Sequence, residues 1–282
     1  DAQQGQISVP DERLNKLAEL VKPGRIVPAT CDIVDIAGLV KGASQGEGLG
    51  NQFLGNIRET DAIIHVLRCF DNDNIVHVDG SVNPVRDKEI IDAELQLKDL
   101  ETVENRIKRV EKQARVGGDK QAKLEFDVLS AYRDALLQGK SARTVTFETE
   151  DEIATAKGLF LLTTKPVLYV CNVDDTSAAN GNPYVEAVRE AIKDEDAELL
   201  IISAQTEADI AELESYEEKQ MYLEDMGLKE SGCDRLIKAI YKLLNLETFI
   251  TAGEMEVKAW TYRKGWKAPQ CAGVIHTDFE RG

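Results

Sequence analysis

Short apolar runs alternate with polar loops from Ile7 to about Gly80. Ile33 and Val34 close one such run, and AIIHVLRCF, Ala62 to Phe70, has the length and apolar character of a buried strand. The pattern changes at Pro84. Leu100, Val103, Ile107, Val110 and Ala114 recur at alternating steps of three and four, the spacing that gathers side chains into one seam of a helix. VGGDK interrupts the run, and Leu124, Val128, Ala131 and Ala135 resume it, which predicts an antiparallel helical hairpin ending near Gly139. After about Thr144 strand-like runs return in PVLYVCN (Pro166 to Asn172) and ELLIISA (Glu198 to Ala204), with a helical stretch around Tyr184 to Lys193 between them. From about Thr248 the runs shorten again, and VKAWTY and CAGVIH both read as β-like.

These changes of period predict an α/β protein with a mainly parallel sheet. Residues 1–80 and 144–247 form its main domain, 81–143 a helical arm inserted into it, and 248–282 the opening of a further domain. A long insertion is compatible with one sheet, because loop-closure entropy grows slowly with loop length. The last segment is shorter than the roughly 50 residues of a small domain.

Open α/β sheets bind ligands where their strands end, and three strand ends here carry related chemistry. The first is Asp35-Ile36-Ala37-Gly38. An aspartate so placed can hold a magnesium-bound water, while a glycine lets a backbone N–H approach a terminal phosphate. By itself such a turn is a weak signal. The second, Asn172-Val173-Asp174-Asp175, occupies the place of the base-recognition motif Asn-Lys-x-Asp of GTPases. The third, Ser203-Ala204, ends the next strand, where those proteins have their final base-contacting loop. Their order makes a nucleotide site the joint reading, and the helical insertion accounts for the long interval between Asp35 and Asn172. A phosphate cradle of the form Gly-x-x-x-x-Gly-Lys-Ser/Thr does not occur in the chain. The near match Gly139-Lys140-Ser141 has Asp134 where the first glycine is required and follows the helical AYRDALLQ, so it reads as the end of the hairpin.

Hydrolysis at such sites commonly uses a glutamine after Asp-x-x-Gly to orient the attacking water. That place is Leu39, which cannot hydrogen-bond through its side chain, so a polar group must come from elsewhere. The candidate is His77 in the polar loop DNDNIVHVDG, because imidazole can position or deprotonate water near neutral pH. The blander role for His77 is a structural hydrogen bond in its own loop. His65 is the poorer candidate, since it lies within an apolar strand. Gly42, Gly46, Gly48 and Gly50 suit a segment that rearranges on nucleotide binding, or alternatively a rigid glycine-rich turn.

Composition narrows the setting. With 43% hydrophobic and 30% charged residues, the chain has the balance of a globular protein. No run reaches the roughly 18 apolar residues of a membrane span and no secretory leader is evident, so the expected compartment is the cytoplasm, with no membrane partner. Five scattered cysteines without Cys-x-x-Cys spacing suit a reducing compartment, and three histidines make zinc an unpromising ligand. A formal net charge of −17 disfavours non-specific nucleic-acid binding by the whole surface. Two basic clusters run against that trend: Arg106, Lys108, Arg109, Lys112, Arg115, Lys120 and Lys123 on the arm, and Lys258, Arg263, Lys264 and Lys267 near the end. Each is either a solvated surface or an RNA or ribosome contact.

Taken together, VPDERLNKLAELVKP, DIAGLVKGASQGEGLGNQFL, NIRETDAIIHVLRCF, TAGEMEVKAW and APQCAGVIHTDFERG resemble the Obg-like ATPase family, known in bacteria as YchF. The similarity runs from about Val9 to Gly282. It implies a translation-factor-related P-loop NTPase with an α/β nucleotide-binding domain, an inserted helical arm and a C-terminal TGS domain of β-grasp type. It also implies a Walker A loop and switch I threonine upstream of Val9, and the rest of the TGS domain downstream of Gly282. The implied activity is slow, magnesium-dependent ATP hydrolysis by a regulatory switch associated with the ribosome, with the basic arm and TGS portion as its partner surfaces. The family shares a hydrophobic residue at the position of Leu39. Its base motif is Asn-x-x-Glu, from which Asp175 departs. A carboxylate there could accept two hydrogen bonds from guanine, whereas Val173 replaces the lysine of GTPases. The expectation is therefore ATP, with a GTPase or a non-catalytic binding module as alternatives.

Overall fold

The computed structural model describes residues 3–36, 42, 44 and 50–281 and, for residues 3 and 50–52, the backbone alone. The chain runs β1 (Gln3–Ser8), α1 (Glu12–Val21), β2 (Arg25–Val27), β3 (Thr30–Asp35), α2 (Gly50–Arg58), β4 (Ile63–Arg68), α3 (Pro84–Val116), α4 (Lys120–Leu137), α5 (Glu150–Lys157), β5 (Val167–Asn172), α6 (Pro183–Ala191), β6 (Leu199–Ile202), α7 (Ala204–Glu212), α8 (Tyr216–Asp225), α9 (Gly232–Leu243), β7 (Leu246–Ala252), β8 (Glu256–Arg263) and α10 (Ala268–Ile275). The result is a mixed α/β fold with parallel and antiparallel sheet.

Strands β4, β5 and β6 form a parallel sheet with β5 at its centre, placing Arg68 opposite Asn172 and Asn172 opposite Ile202. Both faces are covered. Tyr169 and Cys171 point with Leu67 towards Val185 and Val188 of α6, while Leu168 packs on Ala239 and Ile240 of α9. Burial on two sides explains why β5 reads as a continuous apolar run rather than an alternating one.

The N-terminal segment also binds the end of the chain. β1 pairs antiparallel with β3, whereas β2 pairs in parallel with β8, whose other edge takes β7 in antiparallel register. Leu14 and Ala29 bury against Val257 and Ala259. Asp11 caps α1 by accepting from Arg13 N at 3.0 Å, and the Arg13 guanidinium reaches on to Thr248 Oγ1 at 2.7 Å. The hydrogen-bonded guanidinium holds the Asp11 carboxyl below its ordinary value of 3.8, against the opposing effect of partial burial. A lowered folded value means that this stabilisation is present above pH 3.8 and is lost as pH falls through the folded value. Asp11→Ala is therefore expected to cost about 1 kcal/mol at pH 7, and less near pH 3, which urea unfolding at the two pH values would measure.

The arm is formed by α3 and α4. Asn83 caps α3 through Arg86 N with Pro84 in the first turn, and Asp119 caps α4 through Ala122 N. Between the helices Gly117 and Gly118 have φ of 83° and 109°, where a Cβ would be strained. Val103, Ile107 and Val110 meet Val128, Leu129, Tyr132 and Leu136. On α4 the buried seam is thus rotated from the predicted one, with Leu124, Ala131 and Ala135 only partly buried. Leu129, Tyr132 and Leu136 offer more apolar area than the alanines beside them, and area removed from water decides which face turns inward.

CAGVIH is helical rather than β-like, lying mostly within α10. Pro269 stands in the first turn, where its missing N–H costs nothing, and Gln270 Oε1 accepts from Lys267 N at 3.0 Å. Five apolar or small residues followed by a histidine are too short a run to separate helix from strand by periodicity.

Candidate functional site

The ends of β5 and β6 meet. Asn172 Oδ1 accepts from Ala204 N at 3.0 Å, Val173 N donates to Ile202 O at 3.0 Å, and buried Ser203 caps α7 by accepting from Thr206 N at 3.2 Å. Asn172, Ser203 and Ala204 are therefore joined directly. One lone pair of the Asn172 oxygen is engaged in this way, so the side chain still has a second acceptor position and the Nδ2 donor with which a base could be met. The Val173 side chain is buried in the core with Leu67, Cys69 and Val185, so only its backbone can meet a ligand. Asp174 and Asp175 are exposed. Asp174 Oδ2 accepts from Thr176 Oγ1 at 2.8 Å, and hydrogen bonds from Ser177 and Thr176 hold its carboxyl below the ordinary range. Asp175 Oδ1 accepts from Thr176 N at 2.9 Å.

Asp35 is the exposed last residue of β3. Gly38 and Leu39 lie outside the described residues, as do Gly46 and Gly48. Of the segment that follows Asp35, Gly42 has φ of 93°, and the N–H groups of Gly42 and Ser44 donate to the two carboxylate oxygens of Glu94 on α3 at 2.8 and 2.9 Å. Nothing in the sequence pattern singled out Glu94. A glutamate between Ile91 and Leu95 on an apolar face was the available signal.

His77 lies in a well-tethered loop. Arg68 donates to the carbonyls of Phe70, Asn72 and Ile75, Tyr184 Oη donates to Asp71 at 2.6 Å, and Asn182 Nδ2 donates to Cys69 O at 2.7 Å. The imidazole is held on both sides. Asp79 N donates to Nδ1 at 3.0 Å, which leaves the neutral ring's proton on Nε2, 2.8 Å from Asp87 Oδ2. In this arrangement the structural hydrogen bonds occupy both ring nitrogens, and contact with a water requires one to be exchanged. The neighbouring Val76 and Val78 are 88% and 95% exposed, so the loop offers apolar surface beside a polar ring. The His65 ring lies tilted beside that of Tyr169, with centroids 5.7 Å apart, and burial pushes its imidazole below the ordinary value, which favours the neutral form.

Among the described residues, two places could hold a cation. His77, Asp79 and Asp87 bring ligand atoms within 4.8 Å of one another, but this set mixes nitrogen with oxygen and its imidazole is already hydrogen-bonded. Magnesium prefers oxygen ligands and retains waters. The exposed Asp35 carboxylate at a strand end suits it better.

A family model described as a 50S ribosome-binding GTPase matches residues 11–116, and the model of a C-terminal region of YchF GTPases, described as a protein of unknown function (DUF933), matches 246–282. The chain is 54% identical over 284 residues to the ribosome-binding ATPase YchF of Bacillus subtilis, covering all of this chain and 77% of that protein. The chain belongs to the YchF family. The ribosome-binding ATPase YchF of Escherichia coli O157:H7 is 52% identical over 278 residues, across 99% of this chain and 76% of its own. The solved structure of the Schizosaccharomyces pombe YchF GTPase superposes with a TM-score of 0.86 at 37% identity, covering the whole chain and 76% of that one. The YchF fold thus extends over the full length, including α3, which the first family model enters and follows to its end at Val116.

Proposed function

We propose that this protein is a magnesium-dependent ATPase acting in the cytoplasm as a ribosome-associated switch. The observation that carries the reading is the 54% identity across the entire chain to a ribosome-binding ATPase. The joined strand ends at Asn172 and Ala204 support it by preforming a loop for the base. In this reading Asn172 donates to the base, Val173 contributes backbone alone, Asp175 lies at the base's polar edge, and Ser203 and Ala204 hold the second loop. Asp35 binds magnesium through water, Gly38 brings an N–H to the terminal phosphate, and Leu39 keeps that side apolar. When bound, the cation neutralises developing phosphate charge. His77 orients the attacking water after exchanging one of its two tethers.

A GTPase reading has its own support, because the Schizosaccharomyces pombe relative is described as a GTPase and Asp175 carries two oxygens that could accept from guanine. Titrating ATP and GTP into the full-length protein separates the two. ATP is expected to bind at least tenfold more tightly, about 1.4 kcal/mol, and equal or tighter GTP binding would reverse the assignment. Removing magnesium with a chelator is expected to abolish turnover. The segment from β7 to α10 fits the start of a TGS domain, and its basic residues, with those of the arm, are the proposed RNA or ribosome contacts. Among the described residues, no helix is long and apolar enough to cross a membrane.

A further inference from the structure

Among the described residues, the buried charged side chains are Lys88, Glu94 and Asp99, and all three project from the root of α3. Lys88 Nζ donates to Asp92 at 2.7 Å and to Glu195 at 2.9 Å, and Asp99 accepts from Leu162 N and Thr163 N at 2.7 Å. Glu195 follows α6, and Leu162 and Thr163 precede β5, so these two charges fix α3 to the framework around the parallel sheet. Glu94 is different. It is 6% exposed, and its two oxygens hold the N–H groups of Gly42 and Ser44, in the segment that leads from Asp35 to α2. That segment's helix also packs on α3, through Leu54 and Ile57 against Ile91 and Leu95.

We propose that Glu94 is a positioning residue that couples the segment after Asp35 to the helical arm. The proposal rests on the reading of this protein as an ATP-hydrolysing switch. A carboxylate that pins two backbone N–H groups, one per oxygen, leaves the chain at Gly42 and Ser44 little freedom unless those bonds are given up. Helix α3 is one element of 33 residues, about 50 Å long, and its far half is the arm. A rearrangement after Asp35 therefore either breaks the Glu94 bonds or carries the helix with it. Lys88 and Asp99 resist gradual sliding, so the response is a step between two arrangements. Asp87, which holds His77, lies on the same face of α3 two turns before Glu94, about 10 Å along the axis. One helix thus bears on both the segment after Asp35 and the loop of His77.

The test uses full-length protein carrying Glu94→Ala or Glu94→Gln. For Glu94→Ala, kcat for ATP is expected to fall about tenfold with KM within about twofold. Glu94→Gln, which retains one acceptor oxygen, should recover part of the loss. A fluorine-labelled residue in place of exposed Val116 at the arm tip should report different signals with ATP and with ADP in the wild type, and no difference in Glu94→Ala. Unchanged kcat together with an unchanged arm response would overturn the proposal. If the variants do not fold, amide exchange at Gly42 and Ser44 in the wild type decides: protection that differs between ATP and ADP supports the coupling, and equal protection overturns it. If the wild type hydrolyses no ATP, the ATPase reading fails by itself. The Glu94 contact is then read from the same two amides, where slow exchange that becomes fast in Glu94→Gln upholds it and fast wild-type exchange removes it.

Discussion

Asp99→Ala is expected to destabilise the protein by about 3–5 kcal/mol, seen as a fall in Tm of roughly 10 °C. Asp99 is 1% exposed and accepts three hydrogen bonds, from Leu162 N and Thr163 N at 2.7 Å and from Thr163 Oγ1 at 2.6 Å. Alanine leaves these donors facing a dry gap. The Thr163 hydroxyl can rotate away, but the two backbone N–H groups cannot, and a buried unmet donor costs about 1–3 kcal/mol. Asp99→Asn should recover part of the loss through its one acceptor oxygen. Burial pushes the Asp99 carboxyl above its ordinary value, and the bonds from Thr163 and Leu162 only partly oppose this. With a raised folded value, the favourable contribution is complete below pH 3.8 and declines as pH rises through the folded value. The gap between wild type and Asp99→Ala should therefore widen as pH is lowered, the reverse of the behaviour at Asp11. Denaturant unfolding at neutral and acid pH measures both the size and the trend.

His77→Ala is expected to reduce ATP turnover by about 100-fold while leaving ATP affinity unchanged. The expectation follows from Leu39, which offers no side-chain hydrogen bond where a water-orienting glutamine would stand, and from an imidazole on a loop fixed by Arg68 and Tyr184. Asp87→Ala discriminates between roles. It frees Nε2 and leaves the Asp79 bond to Nδ1, so turnover should change far less than in His77→Ala. Equal losses from both substitutions would assign His77 to holding its loop. Single-turnover hydrolysis with and without ribosomes, alongside ATP titration, makes the comparison.

The elements that could be read from the sequence are those whose burial is written in their own residues. β5 is apolar throughout because both its faces are buried, β4 and β6 carry apolar runs beside it, and the arm helices carry a helical period with glycines at the break. The pairing of β2 with β8 joins residues 25–27 to 256–258, and nothing in either short run names the other. The two departures have different causes: on α4 the alanines mark a helical face only weakly beside the larger Leu129, Tyr132 and Leu136, and α10, which buries no residue completely, is a short run that fits helix and strand templates alike. At the candidate site, the meeting of Asn172 with Ala204 follows from their places at the ends of consecutive strands, which the apolar runs before them mark. Glu94 was not, since its partners are backbone N–H groups, which every residue but proline possesses.

The root and tip of the arm differ in what they allow. Lys88, Glu94 and Asp99 tie the root to three separate parts of the chain, whereas beyond Val103 the two helices bury chiefly one another, with α5 and the turn after α4 closing the near end. Insertions or deletions of matched turns near Gly117 would therefore change the reach of the arm without disturbing the sheet. A single residue inserted in the first turns of α3, by contrast, would swing whatever follows it by about 100° and take the buried charges out of reach of the groups they hold.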